Sequence, residues 1–208
     1  MLYPLPNCIR ALAAALAPQF EAEIVVADFH SDDWPLVEWI DAMAAPIPVA
    51  HVVAGGDFSV GRGFNIAADY ARSDRLLFLG ADMLVSRALI AEGHRCLDEG
   101  IVYIPLVWTY TNPDHSEGTE RPFGRGNVFM TKAMRAELGP WREFGSHGKS
   151  DCLMAKRIRA GGRVKCALGP GFYHQWHPDD LEWKNQNYPA GWREDHEAKE
   201  AAHKAKRL

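Results

Sequence analysis

The run Glu23-Ile24-Val25-Val26-Ala27-Asp28 is short, apolar through its middle and closed by a carboxylate. A strand with one wet face alternates apolar and polar residues, whereas a continuous apolar run belongs to a strand covered on both faces. Reading outward toward the C-terminus, Asp33 is placed to cap a helix, with Pro35 in its first turn and Leu36, Trp39, Ile40 and Met43 on one side. Residues 49–54 then read as a strand, 63–71 as a helix and 75–79 as a strand. Ser86 caps a helix running to about residue 98, and 101–107 form the next strand. Toward the N-terminus, Ile9, Leu12, Ala13 and Leu16 recur at helical spacing over 9–17, stopped by Pro18, and 3–7 read as a short extended segment ending in a turn. This alternation predicts an α/β fold in a single domain, a mostly parallel central sheet with helices on both faces.

Beyond residue 107 the texture changes. Residues 109–125 are polar and read as an irregular functional loop. A strand at 127–130, a helix capped by Thr131, a helix over Ser150–Ala160 ended by Gly161-Gly162, and a strand at 163–168 follow. From 179 to 208 the chain is a polar tail of helical character. At 208 residues the chain suits one well-developed core rather than two. A net charge of -4 gives no global reason to expect a polyanionic partner. No apolar stretch reaches the roughly 18–20 residues of a membrane span, and the start Met1-Leu2-Tyr3-Pro4 lacks a basic region and a cleavage site, so a cytoplasmic location is expected. Cys8, Cys96, Cys152 and Cys166 form no CxxC pair and are expected as reduced, mostly buried thiols.

In open α/β sheets ligands bind beyond the carboxyl ends of the strands. Two strand ends here carry acids, at Asp28 and in Phe78-Leu79-Gly80-Ala81-Asp82. An acid there serves equally as a turn or cap residue. His174-Gln175-Trp176-His177 places two imidazoles three residues apart after a Gly-Pro-Gly turn, and with a carboxylate such a pair suits a divalent transition metal such as Mn²⁺ better than Ca²⁺.

Six segments then resemble glycosyltransferase family 2 and related GT-A enzymes. Residues 24–33 resemble the nucleotide-binding turn, 58–67 the Arg- and Asn-containing helix start, and 77–83 the strand that leads into the DxD motif. Gly126-Asn127-Val128-Phe129, Ser150-Asp151 with Arg157, and residues 173–178 resemble the C-terminal half of galactosyltransferase-type enzymes, as in chondroitin-synthase-like and polypeptide N-acetylgalactosaminyltransferase-like domains. The resemblance spans about residues 6–178. It implies a nucleotide-sugar-binding half over 1–107 and an acceptor and metal half over 108–178.

The resemblance further implies a metal-dependent, inverting hexosyltransferase that moves a hexose or N-acetylhexosamine from a UDP-sugar donor to an acceptor hydroxyl. Pro6, Asp28, Arg62, Ala81 and Asp82 would meet the nucleotide sugar. Asp82, His174 and His177 would hold Mn²⁺ or Mg²⁺, and Asp151 would be the general base. A saccharide acceptor is expected, with a protein or a hydroxymethylated nucleic-acid base left open. Two departures, Gly80 in place of the first DxD acid and Ser150 in place of the Glu before the catalytic Asp, also leave open a non-catalytic nucleotide-sugar-binding relative. No GxGxxG follows a strand and no Walker A sequence occurs, which argues against a dinucleotide or P-loop enzyme.

Overall fold

The computed structural model describes residues 4–31, 35–121, 126–144 and 150–177. The expected cap at Asp33 and the tail at 179–208 lie outside the described residues. The chain opens with α1 (Pro4–Leu16), followed by β1 (Ile24–Asp28), α2 (Leu36–Ala42), β2 (Val49–Val53), α3 (Val60–Tyr70) and β3 (Arg75–Phe78). Next come β4 (Met83–Val85), α4 (Arg87–Asp98), β5 (Val102–Tyr110), β6 (Gly118–Arg121) and β7 (Val128–Thr131). The helices α5 (Lys132–Leu138) and α6 (Ser150–Ala160) lead into β8 (Val164–His174).

β1 and β2 form a parallel pair. The larger sheet runs β3-β7-β5-β8-β4, with β6 pairing the C-terminal part of β5. Of its pairings only β5–β8 is parallel; β3–β7, β5–β7, β4–β8 and β5–β6 are antiparallel. The sheet is therefore mixed, which corrects the mostly parallel expectation. Apolar runs report burial on both faces, and helices covering a mixed sheet satisfy that burial as well as a parallel one would.

β3 and β4 lie at opposite ends of the strand order yet are joined only by residues 79–82. The five Cα steps from Phe78 to Met83 reach about 17 Å, and four strand spacings in a flat sheet take about 19 Å. The sheet must therefore curl, and the link carrying Gly80, Ala81 and Asp82 crosses its open end.

Side-chain alternation divides the core. Tyr103 and Val107 of β5, Phe129 of β7 and Phe172 of β8 pack with Ile9 and Leu12 of α1 and Leu89, Ile90 and Cys96 of α4. On the other face Val102, Ile104, Val128 and Met130 meet Trp141 and Met154, Ala155 and Ile158 of α6. Each such large apolar side chain contributes about 1.5–3 kcal/mol on burial. Gly93 of α4 lets the helix approach this sheet: a Cβ there would stand 2.3 Å from the Phe129 ring.

Several local expectations are replaced. Residues 4–7 form the first turn of α1 rather than an extended segment, because proline is tolerated where no intrahelical N–H bond is needed. β8 runs on through Gly169-Pro170-Gly171 to His174, with the register against β5 shifting between Leu106 and Trp108. β6 lies inside the stretch expected to be irregular. All four cysteines are free thiols; Cys8 and Cys96 are buried, but Cys152 and Cys166 are exposed. No helix of the described residues is long and apolar enough to cross a membrane.

Candidate functional site

The turn at 79–82 is held from three directions. The Gly80 N–H donates to Asn127 Oδ1 at 2.9 Å, the Cys8 thiol donates to the Gly80 carbonyl at 3.6 Å, and the Gln175 N–H donates to the Asp82 carbonyl at 2.9 Å. Gln175 is buried between the two histidines and also bolts α1 to the site. Its Oε1 accepts from Asn7 Nδ2 at 3.0 Å and its Nε2 donates to the Pro4 carbonyl at 3.0 Å. Gly80 leaves room for the acid beyond it, since a Cβ there would stand 2.7 Å from Asp82 Oδ1.

β4 pairs with β8 so that Met83 lies opposite His174. Asp82 Oδ2 is 2.9 Å from His174 Nε2 and 3.7 Å from His177 Nε2, and the two imidazole centroids are 5.2 Å apart. Atoms that ligate one ion at about 2.1 Å stand roughly 3–3.5 Å from one another, and one ligand atom from each of these three residues lies within 4.8 Å of the others. Burial opposes ionisation of Asp82, but the hydrogen bonds from His174 and His177 override it and hold the carboxyl well below its usual range. A carboxylate with two imidazoles is a donor set that suits a divalent transition-metal ion. His174 Nδ1 is a buried nitrogen with no hydrogen-bond partner among the described residues.

Asp28 closes β1 at the end of the parallel pair. Its Oδ1 accepts from the Ser31 N–H at 3.0 Å and the Ser31 hydroxyl at 2.6 Å, and its Oδ2 lies 3.0 Å from His51 Nε2. Burial again opposes ionisation, and these bonds lower the carboxyl below its ordinary range. His30 adopts a left-handed φ of 57°, which folds Ser31 back onto the acid.

Arg62, at the start of α3, is engaged within the protein. Its Nε donates to Glu143 Oε2 at 3.0 Å and its Nη1 to the carbonyls of Gly55 and Asp57 at 3.1 and 3.3 Å. Pro6 lies in the first turn of α1, and Ala81 is exposed in the 79–82 turn.

Asp151 sits half-buried in the first turn of α6, with Oδ1 accepting from the Cys152 N–H at 2.7 Å. Ser150 donates its hydroxyl to the Arg142 carbonyl at 2.8 Å, a bond that gives serine a local reason to stand there. A Cβ on Gly61 of α3 would reach to 2.2 Å of that same carbonyl oxygen, so α3 approaches this segment at backbone distance. Contacts link Asp151 to the 79–82 turn: a Cβ at Gly126 would lie 3.7 Å from Asp151 Cβ, and the adjoining Asn127 holds Gly80.

Of the residues singled out by sequence, Asp82, His174 and His177 converge; Asp28 stands on the separate two-stranded sheet with its own partners. Asn7, His51, Asn127 and Gln175 were missed as site-building residues. Asn127 and Gln175 lie inside the quoted motifs, and that neighbourhood was the available signal.

No family model and no curated protein matches the chain. Solved structures of S. aureus TarS are similar to it. TarS 1–349 in complex with UDP-GlcNAc aligns with a TM-score of 0.67 at 13% identity, covering 85% of this chain and 56% of that one. The complex with UDP gives 0.63 at 15% identity, over 84% and 57%, and a further structure of TarS 1–349 gives 0.63 at 14%, over 84% and 58%. This chain thus spans a little over half the length of those chains. The likeness shows the fold, and the chain carries a GT-A-like glycosyltransferase fold built on a mixed sheet.

Proposed function

We propose that the chain is a metal-dependent glycosyltransferase that takes a UDP-sugar donor, inverts at the anomeric carbon and transfers a hexose or N-acetylhexosamine to an acceptor hydroxyl. The observation that carries this reading is the convergence of Asp82, His174 and His177 at the turn crossing the open end of the curled sheet. The similarity to a fold solved with UDP-GlcNAc and with UDP supports a uridine nucleotide as donor.

In this reading Asp82, His174 and His177 hold Mn²⁺ or Mg²⁺, which when bound supplies positive charge against the departing diphosphate. Asp28 meets the nucleoside end of the donor. Arg62 acts indirectly, by tying the 55–57 loop to Glu143. Asp151 accepts the proton of the acceptor hydroxyl as the new C1–O bond forms and the bond to the diphosphate breaks, so atoms and charge balance. A saccharide acceptor and action in the cytoplasm complete the proposal.

The test is UDP release from UDP-GlcNAc and other UDP-sugars over a panel of saccharide acceptors, with Mn²⁺ and with EDTA. Release that needs Mn²⁺, vanishes in Asp82→Ala and falls about 10²–10⁴-fold in Asp151→Asn with UDP binding intact is the expected result. UDP binding without release under every condition would instead establish a non-catalytic nucleotide-sugar-binding protein.

A further inference from the structure

Asp28 is held unevenly. Both Ser31 hydrogen bonds fall on Oδ1, while Oδ2 has His51 Nε2 at 3.0 Å as its partner. An ionised carboxylate only accepts hydrogen bonds, so His51 Nε2 carries the proton in this contact. His51 reaches Asp28 from the neighbouring strand: the register sets it beside Val26, so it lies on the same face as Asp28 two residues on. A carboxylate offers about four lone-pair positions, and three are taken by protein donors. Among the described residues none takes the fourth, at the carboxyl end of the parallel pair, where open α/β sheets bind ligands.

We propose that His51 is a positioning residue for donor binding, fixing Asp28 Oδ2 so that its remaining lone pair reads one N–H or O–H donor of the nucleoside. This rests on the reading of the chain as a user of UDP-sugars. The terminal torsion of an Asp side chain is broad; Ser31 restrains it through Oδ1 and His51 through Oδ2. Without His51 the carboxylate keeps its charge and loses one of the two restraints on its aim. The ligand group is either a base N–H or a ribose hydroxyl, and both are recognised by the same acceptor.

The experiment titrates the full chain with UDP, with 2′-deoxy-UDP, and with inorganic pyrophosphate plus Mn²⁺, for wild type, His51→Leu and His51→Gln. The expected result is UDP binding weakened about tenfold to a hundredfold in His51→Leu. Pyrophosphate binding stays unchanged there, because it samples only the metal end. His51→Gln, whose amide N–H donates to the same oxygen, recovers most of the affinity. If the 2′-hydroxyl is the group read, the loss caused by His51→Leu disappears with 2′-deoxy-UDP; if the base N–H or the 3′-hydroxyl is read, the loss persists. Unchanged UDP affinity in His51→Leu, a parallel loss of pyrophosphate binding, or failure of glutamine to rescue would each overturn the proposal while leaving a UDP-binding protein. Wild type that does not bind UDP at all would overturn the underlying reading together with it.

Discussion

At the scale of single residues, the site depends on one carboxylate seated by a glycine. Asp82→Asn keeps the shape and removes the charge that two imidazoles hold ionised. Mn²⁺ affinity, read from the free-ion signal in electron paramagnetic resonance, should fall by more than the about 10–100-fold that loss of a supporting group costs. An unchanged affinity would remove Asp82 from the ligand set. Asn127→Ala tests such a support, since it frees the Gly80 N–H at the base of the same turn, and should fall within that 10–100-fold range. The converging residues Asp82, His174 and His177 drew notice in the sequence because chemistry-bearing types stood at strand ends and at close spacing. Gly80 and Ser150 were legible only as departures. Their reasons, a carboxylate 2.7 Å from where a Cβ would sit and a hydroxyl bonded to the Arg142 carbonyl, are local contacts set by the folded backbone, which residue types alone do not disclose.

At the scale of elements, α3 and the segment after α5 are joined by a two-way amide clamp. Asn65 Oδ1 accepts from the Trp141 N–H and Asn65 Nδ2 donates to the Trp141 carbonyl, both at 2.9 Å and both buried. Trp141 in turn closes an aromatic cluster with Phe64 and Phe78, at 4.9 and 5.2 Å. Asn65→Ala strands both backbone groups, so it should cost about 2–4 kcal/mol in urea unfolding; a cost under about 1 kcal/mol would mean the clamp is replaceable. Local signals placed the helix starts well. Ser86 accepts from the Leu89 N–H and Thr131 from the Met134 N–H, as capping residues do. They failed at residues 4–7, where prolines in a helix's first turn look like an extended segment, and at Gly169-Pro170-Gly171, a bulge out of register between Leu168 and Tyr173 beyond which β8 pairs again with β5 and also with β4.

At the scale of the whole molecule, the apolar runs disclosed which strands are buried but not which way they run, since burial is the same for either direction. The carboxylates make a second global statement. Burial opposes the ionisation of Glu23, Asp28 and Asp82, and their bonds to Arg72, to Ser31 and His51, and to His174 and His177 override it. Glu92 is held at about 2 by hydrogen bonds from Arg95 and Lys165. Groups whose folded-state value is depressed stabilise the fold fully above their unfolded values, about 3.9–4.3, and lose that stabilisation as pH falls through the folded values. Thermal midpoints by circular dichroism should therefore be insensitive to these groups from pH 8 to about 5 and should drop steeply toward pH 2. A midpoint that rises on acidification would reverse the sign of this linkage.

The β4–β8 pairing sets Asp82 against His174, and what that junction binds decides the function. The direct measurement is calorimetric titration of UDP into the full chain, with Mn²⁺ and with EDTA, for wild type and Asp82→Ala. The account predicts UDP binding that requires Mn²⁺ and is lost both in EDTA and in the variant. No UDP binding under any condition, or equal binding in wild type and Asp82→Ala regardless of metal, would contradict it.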